Sequence, residues 1–225
     1  KSSEIYKSAS GGIFAELAES VISQGGVVYG CSYVRDSGGL HPVISEATSL
    51  AELIPMFGSK YVQSSANDIY RKVKRRLLDG YFVLFSGLPC QVAGLNGFLR
   101  KEYKNLLTID VICHGTPNEF FFQSFIDDLE KKIKGVITKF NFRGKQKGWG
   151  NYIYSYSYID VNGKEVNSWG YFEDQVYCQL FLSSSIYRES CYHCPFASIN
   201  RPSDITIGDC WGIEKEHPEY DNKNG

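Results

Sequence analysis

The sequence has little of what marks a membrane, nucleic-acid-binding or hydrolytic protein. No uninterrupted apolar run approaches the ~20 residues that a membrane-spanning helix requires, and the first residues lack the charged-then-apolar pattern of a secretion signal. The expectation is a cytoplasmic chain without a membrane span. Charge of one sign is also missing: 24 Lys and Arg stand against 25 Asp and Glu, for a net charge of −1. No global basic field exists to gather nucleic acid or anionic lipid, so neither is expected as a partner. A Ser-His-Asp arrangement, a Walker loop, HExxH and GxGxxG are all absent, which leaves hydrolase and nucleoside-triphosphatase readings without a foothold. Internal repeats and low-complexity stretches are absent too.

What is present is apolar area. Hydrophobic residues make up 43% of the 225 residues and aromatics 15%, with 16 Tyr and 14 Phe, enough to offset chain entropy and build a buried core. One catalytic core over 1–225 is expected, divisible into an α/β part at 1–135 and a hairpin and cysteine-loop part at 136–225. The start at Lys1 and the polar run from Glu219 to Gly225 read as a piece of a longer polypeptide.

The local pattern predicts a mixed α/β fold with flanking helices and antiparallel hairpins. Apolar positions 13, 14, 17, 18, 21 and 22 have helical period after Gly11-Gly12, and Gly25-Gly26 ends that helix before the β-branched run Val27 to Val34. A turn is expected at 36–40 and a returning strand at 42–46. Further helices are expected at 50–55, 67–79 (with Ile69, Val73, Leu77 and Leu78 inward) and 118–132, with a short strand or turn at 60–63. Tyr81 to Phe85 is a continuous apolar run and Leu106 to Ile112 is a second apolar stretch, broken by Thr108 and Asp110; both are expected to be strands covered on both faces. A helical stretch between them makes a βαβ-like crossover, so Cys90 and Cys113 follow the carboxyl ends of two strands, where open α/β sheets place ligands. Alternation over 136–166 with the turn Asn162-Gly163 predicts hairpins, and a loop-rich tail follows from Cys191.

Seven cysteines without a secretion signal argue against a disulfide framework and leave metal binding or redox chemistry. Cys191-Tyr192-His193-Cys194 is a CxxC, which lets one loop aim two thiolates at a metal or cluster. Zinc, a redox dithiol and chance are the competing readings, and the dithiol weakens because the pair lies late in a loop rather than at a helix start. Two more ligands would come from Cys90, Cys113 and Cys210, with His193 and His114 behind them. The strand-end pair, Cys90 and Cys113, is favoured because both lie on one sheet edge beside a Pro or Gly. Cys210 is the reserve, and Cys31 and Cys178 read as small buried hydrophobes.

Ser10-Gly11-Gly12, Gly58-Ser59-Lys60-Tyr61, Gly87-Leu88-Pro89-Cys90-Gln91, Cys113-His114-Gly115, Phe142-Arg143-Gly144-Lys145 before Gly148-Trp149, and Cys191 to Cys194 followed by Asp204-Ile205-Thr206-Ile207-Gly208-Asp209 occur in this order. In that order the chain resembles the coenzyme F420 hydrogenase/dehydrogenase beta subunit family, from about Ser10 to Trp211. The resemblance implies a mixed α/β fold rather than a Rossmann fold. It also implies an iron-sulfur flavoprotein in which a 4Fe-4S cluster and FAD lie close together, electrons passing singly through the cluster and in pairs through the flavin. The enzyme expected on that basis is an oxidoreductase that takes electrons from a ferredoxin or reduced deazaflavin and delivers them to a small organic acceptor. Carried onto these residues, it makes Cys90, Cys113, Cys191 and Cys194 the cluster ligands and lines the flavin with Ser10, Gly11, Gly12, Lys60 and Tyr61. The ferredoxin-like module with extra cysteine runs that precedes this region in many relatives is absent from this sequence.

Elementary chemistry gives each of these residues a second reading. A helix starting at Gly11-Gly12 offers free N–H groups and a positive dipole end to a pyrophosphate, although a simple turn has the same signature. Lys60 suits the flavin N1 region or plain solvent. Arg143 and Lys145 suit phosphate and Trp149 a ring system, against a hairpin with solvated charges. His114 and His217 are the proton-donor candidates, each equally an ordinary loop histidine. Two other classes compete with the enzyme: a zinc-stabilised structural module and an accessory subunit in polysaccharide biosynthesis without redox activity.

Overall fold

The computed structural model describes residues 8 and 10–220. Residues 1–7, 9 and 221–225 lie outside the described residues, and with them most of the terminal polar run. The larger of two sheets has the order β2-β1-β3-β4-β8. Its strands are β1 (Val27–Asp36), β2 (Gly39–Ala47), β3 (Val83–Gly87), β4 (Leu106–Val111) and β8 (Ile205–Ile207). β2 returns antiparallel from β1, and β1, β3, β4 and β8 run parallel, so the sheet is mixed. Successive residues of β1 and β3 point to opposite faces and both faces are covered, which explains the unbroken apolar runs. Val28 and Leu84 pack under α1 (Ile13–Ser23) through Ala18 and Val21. Val27, Tyr29, Val83 and Phe85 pack under α3 (Ile69–Leu78) and α4 (Pro89–Leu99). A Cβ on Gly26 would sit 2.6 Å from a Val21 methyl and 2.8 Å from the Phe82 carbonyl, so the turn from α1 into β1 needs glycine.

The second sheet is antiparallel: β5 (Gly135–Asn141), β6 (Ile153–Asp160) and β7 (Glu165–Tyr171). It packs on α5 (Glu119–Ile133) and α6 (Val176–Leu182) through an aromatic core that includes Phe122, Phe125, Phe140, Phe142, Tyr154 and Tyr177. Leu40 from the β1–β2 hairpin enters that same core, and the Gln123 carboxamide oxygen accepts from the Leu40 N–H at 3.0 Å.

Several expectations are adjusted. Helix 50–55 is one turn of α2 (Leu50–Leu53) closed by a Ser49/Glu52 capping box and continued as a 3-10 turn at Ile54–Met56. Residues 60–63 form no strand; the nearest pairing is an isolated bridge between Ser65 and Val43. Leu78 points out at the end of α3, where the chain turns. Tyr81 and Phe82 are exposed because β3 begins only at Val83. In the tail, Ile205-Thr206-Ile207 forms a strand rather than a loop, docked because the Asp204 carboxylate accepts from the Thr108 N–H and Oγ1, both at 2.7 Å. Among the described residues no helix is long and apolar enough to cross a membrane.

Candidate functional site at the carboxyl edge of the sheet

Cys90 is the second residue of α4, directly after the β3 turn. Pro89 opens the helix at a position where its missing N–H costs nothing. Gln91 fixes the turn: its Oε1 accepts from the Leu88 N–H at 2.9 Å while its amide donates to the Ser64 carbonyl and hydroxyl. Cys113 lies two residues beyond β4. Cys191 sits in the short α7 (Glu189–Tyr192), with Cys194 just after it. The loops carrying Cys113 and Cys191 interlock. Arg188 N–H donates to the Thr116 carbonyl at 3.0 Å, the Thr116 hydroxyl meets Cys191 Sγ at 3.9 Å, and Gly115 (φ 124°) leaves room for the Tyr187 ring, which a Cβ there would meet at 2.4 Å.

The thiols feel one another. Burial first, then the charges of Cys194 and Cys191, raise the Cys90 pKa, against the Cys90 and Gln91 N–H groups at the helix start. Burial pushes Cys113 up to about 11, opposed by the Gly115 N–H and reinforced by Cys90, Cys191 and Cys194. All four thus share one electrostatic neighbourhood, and all four keep accessible surface. Among the described residues no three His, Cys, Asp or Glu side chains are close enough to close on one metal ion. Cys210 is exposed and does not figure in the electrostatics of Cys90 or Cys113. Cys178 is buried, whereas Cys31 is only partly so, its thiol facing Ser64 and Lys60. His114 packs on Phe181 and Tyr187 and meets the Ser184 hydroxyl, and His217 meets Glu219.

A second cluster forms around Arg143, just past β5. Its Nη1 donates to Asp209 at 3.1 Å and to the Tyr61 hydroxyl at 3.3 Å, and its guanidinium lies over Trp149 (5.4 Å) and Trp211 (5.6 Å). Burial works against its charge, yet Tyr61 and Asp209 outweigh burial and raise the pKa. Among the described residues Nη2 of this buried side chain has no partner, nor does the buried Nε1 of Trp149. Two such donors left without acceptors are costly and mark a place for an acceptor-rich group such as a phosphate. Lys145 donates to the Ser10 carbonyl at 3.2 Å, which brings this cluster to the start of α1, where Gly12 (φ 84°) is the cap. Burial and the nearby Arg143 lower the Lys145 pKa.

Two expected flavin contacts take a different form. The Lys60 ammonium faces the carbonyls of Pro55, Met56, Phe57 and Gly58 at 2.9 to 3.1 Å, so its three N–H donors are spent closing that turn. Burial lowers its pKa to about 8, which leaves it charged at neutral pH inside its ring of carbonyls. The Trp149 ring is already stacked on Trp211, 4.1 Å between centroids. Tyr61 stacks on Phe181 at 4.5 Å and reaches Arg143 through its hydroxyl. Asp209 and Trp211, which sequence reasoning reaches only as parts of a motif, emerge as the groups that orient Arg143.

The profile for the C terminus of the coenzyme F420 hydrogenase/dehydrogenase beta chain matches residues 82–223. The chain belongs to this family. The matched region contains Cys90, Cys113, Cys191 and Cys194 together with Arg143, Lys145, Trp149, Asp209 and Trp211, while Ser10 to Gly12, Lys60 and Tyr61 precede it. Family membership makes the chain part of a group of oxidoreductase subunits. The fold is similar to a chain of the F420-reducing NiFe hydrogenase complex from Methanosarcina barkeri, solved as a xenon derivative, with a TM-score of 0.57 and 15% identity over 93% of this chain and 67% of that one. At that identity the likeness is one of fold. No curated protein matches the chain significantly.

Proposed function

We propose that the protein is an iron-sulfur flavoprotein oxidoreductase that takes electrons from a ferredoxin or reduced deazaflavin and delivers them to a small organic acceptor. What supports this reading is the proximity of four cysteines from three separate segments: the Thr116 hydroxyl, three residues after Cys113, meets Cys191 Sγ at 3.9 Å, and Cys191 and Cys194 both raise the pKa of Cys90 and of Cys113. When bound, a 4Fe-4S cluster supplies one-electron transfer and FAD two-electron transfer. The four thiolates hold the cluster, and the helix-start N–H groups beside Cys90 favour its negative charge. Arg143 Nη2, Lys145 and Trp149 Nε1 bind the FAD phosphates, with the start of α1 at Ser10, Gly11 and Gly12 completing the cradle. Lys60 acts one step back, by fixing the turn that presents Tyr61.

Anaerobic purification followed by an ultraviolet-visible spectrum tests the proposal. The expected result is a broad iron-sulfide absorption together with flavin bands after reconstitution with iron, sulfide and FAD. A colourless protein that gains neither absorption would overturn it.

A further inference from the structure

Asp110 lies at the carboxyl end of β4, fully buried, three residues before Cys113. Arg201 comes from the far side of the CxxC loop and makes a fan of contacts onto it. Its Nε and Nη2 donate to Asp110 Oδ1 at 3.2 and 2.9 Å, Nη2 also donates to the Val111 carbonyl at 3.0 Å, and Nη1 donates to the Phe196 carbonyl at 2.8 Å. One guanidinium therefore grips the backbone two residues before Cys113 and the backbone two residues after Cys194. Asn96, six residues after Cys90 on α4, donates to the Pro202 carbonyl at 2.8 Å. The segment between Cys194 and β8 is thus tied to both elements that carry the other cysteines.

We infer that Arg201 is a positioning residue, a partly buried cationic clamp on the buried Asp110 that sets the spacing between the CxxC loop and the strand-end cysteines. Its three bonds to Asp110 and Val111 are the polar link between the 194–202 segment and β4, so the clamp decides where Cys191 and Cys194 stand relative to Cys113. Among the described residues only Asp110 Oδ1 is engaged and Oδ2 is buried without a partner, so the pair is held for geometry rather than for full satisfaction of its acceptors. The guanidinium fork is needed because a Lys ammonium cannot span an acid and two carbonyls in one plane.

The inference rests on the proposed cluster for one readout and stands without it for another. In the apo protein, amide exchange of residues 196–201 is compared for wild type, Arg201→Lys, Arg201→Met and the gentler Asn96→Ala. Exchange should rise at least tenfold in Arg201→Met, less in Arg201→Lys, and slightly in Asn96→Ala. In the reconstituted protein, Arg201→Met should lose iron to a chelator about 10- to 100-fold faster, the usual cost of removing an outer-shell partner. Its cluster potential should fall, because a cation that favours the reduced form is gone, whereas Asp110→Asn should raise the potential. Folded Arg201→Met with wild-type exchange overturns the clamp, as does wild-type iron retention with an unmoved potential. Failure of wild type to take up iron refutes the proposed function instead, and the exchange data still decide the clamp.

Discussion

Replacing Arg143 with Met separates its two roles. The side chain is buried and faces Asp209, whose own side chain keeps 22% of its surface. Removing one partner of a buried pair costs about 3–5 kcal/mol, since the other charge is left uncompensated. The partial exposure of Asp209 lowers this to about 2–3 kcal/mol, a drop in melting temperature of about 5–10 °C for a chain of this size. A charged hydrogen bond from Nη2 to phosphate is worth about 1.5–3 kcal/mol, so FAD should bind about 10- to 100-fold more weakly. Adding Asp209→Asn removes the stranded charge and should restore most of the stability, while FAD affinity stays low. Calorimetry gives the first quantity and fluorescence titration with FAD the second. A double variant that binds FAD as tightly as wild type would refute the assignment of Nη2 to the cofactor.

Serine at Cys90, Cys113, Cys191 or Cys194 should each lower the iron content of the reconstituted protein sharply, and serine at Cys210 should not, as read by a colorimetric iron assay. Asp204→Asn weakens the two bonds to Thr108 and should cost about 1–3 kcal/mol in denaturant unfolding. His41 joins the β1–β2 hairpin to α5: its Nδ1 meets Glu119 at 2.5 Å and its Nε2 meets Asp36 at 3.1 Å. The Glu119 hydrogen bond, with Asp36 adding, raises the His41 pKa in the folded state. A raised folded pKa gives stability that is fully present below the unfolded value of ~6.5 and is lost as pH rises through the folded one. His41→Ala should therefore destabilise more at pH 5.5 than at pH 9 in parallel urea titrations.

The parallel core of the fold was legible because Val83-Leu84-Phe85 is apolar without alternation, which strands covered on both faces tolerate, and because Leu106 to Val111 is otherwise apolar, its two polar residues Thr108 and Asp110 being buried. The placement of Cys90 and Cys113 followed from those strands. β8 was not legible: three residues carry too little periodicity, and what makes them a strand is Asp204 reaching Thr108, a partner 96 positions away. The same holds for Arg143, whose unpartnered Nη2 and its orientation by Asp209 and Trp211 arise from tertiary contacts. Lys60 shows the reverse. A lysine beside a tyrosine in a glycine turn suggested a ligand contact, yet the nearby 3-10 turn ends in carbonyls that claim the ammonium first. Arg201 carries no local signal in the sequence; its place is set by the buried Asp110 of β4, 91 positions away.

The composition of the anaerobically reconstituted chain tests the shared cluster most directly. Iron and acid-labile sulfide should each reach about four per chain, with the iron-sulfide absorption lost when Cys113 and Cys191 are both changed to serine. One zinc per chain with no sulfide, bound through those same cysteines, would contradict it.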